Sequence, residues 1–359
     1  MNVQGFCYVL VAYDIGQQVD LDRAAQLMKV ASQRMSIAPR HRAPKHFEYG
    51  APPLRLTQRA DALKVAGFEL QSAVDLTLFD FGAVSLAYRI PFNTDLKSLL
   101  GLSEELYDNA ELRTDSELRV KDLAATIKSV VTKPGIQDFI EDYLIFEIFP
   151  PAAQLPFDQF LGQYRHEVAQ ILRSESAELS EEQISDALAD CISYSPQDSV
   201  IVNWNAAFVY DQEAEDVRAV LELANVQLLE MRYLDRQLDD ALNQSYHILT
   251  RRRRFGFFNP LGHDLQRISL LQVDGALLFE GVSNALKLLG DQYLARVYRL
   301  AARRFHLSDW DGNITRKLNT LGSIYQKIEG RVDALRNQLL ELIIVLLIVF
   351  EIVLPWVKG

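Results

Sequence analysis

An α+β fold is what this sequence predicts: a mixed α/β head, then a helical domain with a coiled-coil hairpin, and one C-terminal transmembrane helix. Three observations carry that expectation. Aromatic and β-branched runs crowd the first 210 residues and become rare after Glu213. Two apolar stripes of helical period follow, over 217–249 and 314–342. The sequence closes on LLELIIVLLIVFEIVLPWV, residues 339–357, where thirteen of the sixteen positions from Leu342 to Val357 are Leu, Ile, Val or Phe. The expected divisions are an α+β head at 1–210, a helical domain at 211–310, a coiled-coil stalk at 311–341 and a membrane anchor at 342–357.

In order along the chain, FCYVLVAY at 6–13 is aromatic and β-branched enough for a buried strand. Asp20 caps a helix running from Leu21 to about Ser32. Residues 36–53, with clustered Pro, His, Arg and Lys, read as a long loop. The clearest sheet signal is 70–90, two strands at 70–79 and 83–90 around Asp80-Phe81-Gly82, with the glycine supplying permissive backbone. Residues 96–129 read as helix, broken near 109–115. DYLIFEIF at 142–149 is another strand, closed by Pro150 and Pro151. Helices follow at 157–172 and 180–189, the second with Ser180 as N-cap and Gln183 at the capping-box position. Residues 199–203 and 206–210 read as a short strand pair around Asn203-Trp204-Asn205, a turn with an aromatic cover.

The first helical stripe is Val217, Leu221, Ala224, Leu228, Met231, Leu238, Leu242, Ser245 and Leu249, with Asp235 as its one charged member. The second, Ile314, Leu318, Leu321, Tyr325, Ile328, Val332, Leu335, Leu339 and Leu342, keeps a 4, 3 spacing throughout. So regular a seam keeps facing one partner helix. Tyr325 is easiest to place opposite a small residue such as Ala224, Ala241 or Ser245, which favours an intramolecular antiparallel hairpin over a homo-oligomer. The closing run is apolar around the whole helix, so no single core-facing stripe could bury it. Its length, about 28 Å, approaches the roughly 30 Å of a bilayer's hydrocarbon core. Glu351 costs about 3 kcal/mol at a bilayer centre, against roughly 0.3–0.6 returned by each Leu, Ile, Phe or Val, so insertion still wins. Lys327, Arg331 and Arg336 precede the run and Lys358 alone follows it, which places the bulk of the chain on the cytoplasmic side.

A formal charge of −11 argues against a generally basic nucleic-acid coat. Cys7 and Cys191 make neither a disulfide framework nor a zinc site and suit a reducing compartment. The N-terminus lacks the basic start of a secretory signal. One region departs from the acidic whole: from His247 to Arg304 there are ten Lys or Arg against four Asp or Glu. Arg251, Arg252, Arg253 and Arg254, with Arg296, Arg299 and Arg303 on one helix face, are the candidate contacts for a polyanion, either anionic lipid or RNA. The rival reading has these arginines paired internally with acidic helices. No phosphate-cradling glycine loop, nucleophile elbow or metal-ligand spacing occurs, so no catalytic, cofactor or metal residue is expected. Glu141, Asp142 and Glu147 bracket a strand, and alternation puts Glu147 on an exposed face or strand end.

Two segments carry a family resemblance. RVDALRNQLLELIIVLLIVFEIVL, from Arg331 on, and VDLTLFDFGAVSLA, from Val74 on, resemble the family called "required for meiotic nuclear division". That resemblance implies a membrane-anchored protein without an agreed catalytic activity, and it carries over no functional residue. The expected function is a non-enzymatic tether or scaffold at a membrane surface, with lipid and a protein partner as its contacts. The alternative is a membrane-associated hydrolase or transferase with a site between head and helical domain.

Overall fold

Strand β1 (Asn2–Asp14) is the middle of a nine-stranded sheet. The structure, a computed structural model, describes residues 1–28, 32–34, 53–60, 63–151, 155–250, 269–270, 273, 276 and 292–358. The other strands are β2 (Gln18–Val19), β3 (Ser32–Arg34), β4 (Leu54–Arg59), β5 (Lys64–Val65), β6 (Phe68–Glu69), β7 (Ala73–Leu78) and β8 (Ala83–Asp95), then β9 (Val131–Thr132), β10 (Ile140–Ile148), β11 (Cys191–Ile192), β12 (Ser199–Val202) and β13 (Ala206–Tyr210). The large sheet is ordered β11-β12-β13-β10-β1-β8-β7-β4-β3, while β2-β9 and β5-β6 form two-stranded ribbons. Every pair in the large sheet is antiparallel except β10 with β13. The helices are α1 (Leu21–Leu27), α2 (Leu96–Leu106), α3 (Ala110–Ile127), α4 (Phe157–Arg173), α5 (Glu181–Leu188), α6 (Glu215–Thr250), α7 (Gln292–Arg304) and α8 (Leu307–Lys358). The α+β class therefore stands.

Local chemistry explains most boundaries. The side chains of Asp20, Asp95, Asn109 and Ser180 each accept a hydrogen bond from a first-turn N–H and start α1, α2, α3 and α5. Asp108, at φ 58°, separates α2 from α3 where a break was expected. Gly82 sits at φ 98°, and a Cβ there would lie 1.7 Å from the Gly16 carbonyl oxygen, so only glycine fits the turn between β7 and β8. Two expectations need correction. Helix α1 ends at Leu27 rather than near Ser32. Strand β4 went unread because LRLTQR, buried at only two positions, has no apolar run.

Side chains alternate across a strand, so each strand serves both sheet faces. Cys7, Val9, Val11 and Tyr13 of β1 share one face with Leu86 and Tyr88 of β8, Leu76 of β7 and Phe146 of β10. All belong to one core with Leu99 of α2, Leu123 of α3 and Phe160 and Ile171 of α4. Each large side chain buried there contributes roughly 1.5–3 kcal/mol by transfer from water. The opposite face lies under α6.

The chain divides into two compact units, residues 1–233 with 278–310 and residues 234–277 with 311–359. In the second, Lys317 lies 2.7 Å from both Asp235 and Asp239, which accounts for the charged member of the first stripe. Ile314 and Leu321 are buried within the single chain, as are Leu238, Ala241 and Ser245. The start of the second stripe is thus covered by its own chain. Farther on, residues 342–350 are exposed. The expected transmembrane helix is not found: among the described residues, no helix is long and apolar enough to cross a membrane. Helix α8 reaches Lys358, but its apolar side chains are described only as far as Phe350.

Candidate functional site beneath helix α6

Alternation also dictates which residues meet α6. Tyr8, Leu10, Ala12 and Asp14 of β1 stand opposite Arg89, Ala87, Ser85 and Ala83 of β8. Asp75 and Thr77 of β7 pair with Ala87 and Ser85 in turn, and with Thr57 and Arg55 of β4. On the other flank, Ala12 and Phe6 pair with Glu141 and Glu147 of β10. This face combines small residues with charged ones, and α6 answers it with Arg218, Glu222, Asn225, Glu230 and Arg232.

The pairs run along the helix. Arg218 bonds Glu147, and its guanidinium lies 4.4 Å from the centre of the Tyr8 ring. Arg232 bonds Glu141 and lies 4.6 Å from the Phe139 ring. Asn225 donates to the Glu141 carbonyl oxygen at 3.3 Å. Burial outweighs these arginines. It raises the Glu147 carboxyl above its ordinary range, and it raises Glu141 to about 7 although the Arg232 charge pulls downward.

Three further acids have no cationic contact among the described residues. Glu230 is fully enclosed, and neither of its carboxyl oxygens has a hydrogen-bond partner among the described residues. Burial first, and then the neighbouring Asp14 charge, holds it far above the carboxylate range. Burial likewise raises Asp14 to about 7, partly offset by the hydrogen bond from the Gly16 N–H at 3.2 Å. Glu222 is also raised by burial, with the Ser85 hydroxyl pulling the other way. Buried carboxyls of this kind cluster at functional sites, and a structural role is the competing account.

At the N-terminal turns of α6 the two layers do not close. Small side chains at Ala73, Ala87 and Ala219 leave a cavity of about 70 Å³, walled by Tyr8, Arg55, Arg89, Arg218 and Glu222 among others. Arg55 spans its edge, 3.0 Å from Asp75 and 3.2 Å from the exposed Glu215.

Of the residues singled out in the sequence, those that the structure describes do not line this cavity. Arg251, Arg252, Arg253 and Arg254 are outside the described residues. Arg296, Arg299 and Arg303 share the exposed side of α7; Arg303 bonds Asp190, and the Arg299 Nε donates to the Ala295 carbonyl at 3.2 Å. The adjacent Arg304 holds Asp186 at 2.9 Å and Asn203 at 2.7 Å. Trp204 packs edge-on to Phe305 at the turn between β12 and β13, the expected aromatic cover. Glu147 needs correction: it is 3% exposed, not on a free face, because α6 covers it and Arg218 pairs with it. Among the described residues, no group of three or more His, Cys, Asp or Glu could hold a metal ion. The signal that sequence reading missed is the polar or small residue at every second strand position, Ser85-x-Ala87-x-Arg89 and Ala73-x-Asp75-x-Thr77.

A sheet with one polar face under a long helix, and a cavity between them, defines an α+β protein without a motif of known chemistry. Residues 4–216 match the family described as "Uncharacterized protein MJ0711, N-terminal domain", and the chain belongs to that family. It is 28% identical over 275 residues to the uncharacterized protein MJ0711 of Methanocaldococcus jannaschii, covering 74% of this chain and 76% of the relative. No solved structure matches. The resemblance to the "required for meiotic nuclear division" family is thereby overturned. It rested mainly on heptad leucines leading into an apolar run, a pattern that helix pairing and apolar burial impose on unrelated chains. The family match lies instead on the strands and ends just inside α6.

Proposed function

We propose that this protein is a tether or scaffold whose C-terminal apolar segment attaches it to a membrane surface. The observation that carries this reading is the exposure of every side chain from Leu342 to Phe350, between 43% and 64%, around the helix. An apolar surface of that extent is unfavourable in water and marks a contact with lipid or with another protein. Lipid is favoured because the exposed residues encircle α8, whereas a partner helix needs a single stripe. On this reading the bulk of the chain faces the cytoplasm, as Lys327, Arg331 and Arg336 imply.

Flotation with phosphatidylcholine vesicles tests it. The full chain should rise with the vesicles, and a version ending at Asn337 should stay at the bottom of the gradient. A full chain that stays down, eluting without detergent as one defined oligomer, would replace lipid by a second copy of the chain. A hydrolase or transferase is the second reading, and the polar-walled cavity under α6 is the one observation that favours it.

A further inference from the structure

The tether reading gives the cavity beneath α6 no purpose, and its polar groups are incompletely matched. Arg55 is committed to Asp75 and Glu215, and Arg218 to Glu147. Arg89 has no carboxylate within contact distance among the described residues. Its guanidinium lies 3.5 Å from the centre of the Phe6 ring, and its Nε is buried without a hydrogen-bond partner. Glu222, only 8% exposed, lines the same cavity, and its buried Oε1 has no hydrogen-bond partner among the described residues. A buried donor and a buried carboxyl oxygen left without partners are unfavourable, so their persistence calls for an occupant.

The chemistry of the wall narrows that occupant. Arg55 and Arg218 are paired with Asp75, Glu215 and Glu147, whereas Arg89 acts on Glu147 only through its charge at a distance. Burial raises the Glu222 carboxyl above its ordinary range, with the Arg55 charge pulling the other way. A guanidinium with no carboxylate in contact fits an oxygen anion, because its fork matches planar carboxylate or phosphate oxygens. The Phe6 ring covers a face of the guanidinium and leaves its edge for the ligand. A space of about 70 Å³ admits a small group and not a whole nucleotide.

We propose that the cavity between the sheet and the first two turns of α6 binds a small oxyanion, carboxylate or phosphate, held by Arg89.

The test uses the full chain in detergent, with sodium phosphate and sodium acetate as probes against sodium chloride of equal ionic strength. One or both probes should raise the melting temperature above the chloride control and bind saturably by calorimetry. Acetate alone would assign a carboxylate, and phosphate alone a phosphoryl group. Arg89→Met replaces the guanidinium over Phe6 with an uncharged thioether and should weaken binding at least tenfold. Glu222→Gln, which keeps the size of the side chain and cannot carry a negative charge, should bind at least as tightly as the parent. In the parent protein, a single arginine Nε–H resonance should shift on titration, a readout that survives if Arg89→Met does not fold. Responses to both probes equal to chloride, or undiminished saturable binding by folded Arg89→Met, would overturn the proposal and leave water as the occupant.

Discussion

The two faces of the central sheet are built from the same strands, one residue apart, and follow opposite rules. Leu86 faces the apolar core shared with α2, α3 and α4; Ser85, its neighbour, faces α6 among carboxyls and arginines. The first face is held by area removed from water and tolerates no mismatch in volume. The second is held by partner-by-partner compensation, so a single deletion leaves a charge or donor stranded. Stability sits chiefly on the apolar face. The polar face spends some of it, which is why the cavity and the raised carboxyls are found there.

That contrast can be broken in three ways. The largest effect is expected for Leu86→Ala, fully buried on the apolar side, at about 3 kcal/mol by urea unfolding. A loss below 1 kcal/mol would mean that this face is looser than its burial implies.

Next is pH. The Asp14 carboxyl rises from 3.8, and that of Glu141 from 4.5, to about 7 on folding. A group with a raised folded pKa binds more protons in the native state. The stability it contributes is complete below the unfolded value and is lost as pH rises through about 7. The exposed acids with lowered values, Glu69, Asp95 and Asp186, titrate below this window. Unfolding free energy should therefore fall between pH 5 and pH 8. Asp14→Asn, which can still accept from the Gly16 N–H, should be about 1–2 kcal/mol more stable than the parent at pH 8 and nearly unchanged at pH 4. Equal pH slopes in the two proteins would show that Asp14 is charged in the native state throughout.

The smallest effect is expected for Ser85→Ala. Its Oγ is buried and makes no hydrogen bond of good geometry, so removing it should change stability by no more than about 0.5 kcal/mol. A cost above 1.5 kcal/mol would turn the Ser85–Glu222 proximity into a hydrogen bond that holds the polar face together.

Much of the architecture was legible because local chemistry set it. The caps at Asp20 and Ser180, the glycine of the turn at Gly82 and the strand pair around Asn203-Trp204-Asn205 each rest on residues within a few positions of one another. The polar face was not legible by the same means. In β1, Tyr8, Leu10 and Ala12 are as apolar as Cys7, Val9 and Val11, so a strand buried on both sides reads as one continuous run. In α6, the stripe from Val217 to Met231 suggested a helix with one wet side. Residues 221–230 are instead buried all round, with Arg218, Glu222, Asn225, Glu230 and Arg232 turned toward the sheet or its flank.

By itself, then, the amino-acid sequence determined the class of fold, most element boundaries and the apolar character of the C-terminal segment. Each of these follows from backbone preference and hydrophobic period over a few turns or strands. Tertiary structure alone decided that Glu147 belongs to Arg218 and Glu141 to Arg232, that Asp14 and Glu230 share a dry space, and that Arg89 and Glu222 face one cavity. Those groups lie 71 to 216 positions apart in the chain, or, for Arg89 and Glu222, on different layers. Their charges acquire meaning only once folding removes the water between them.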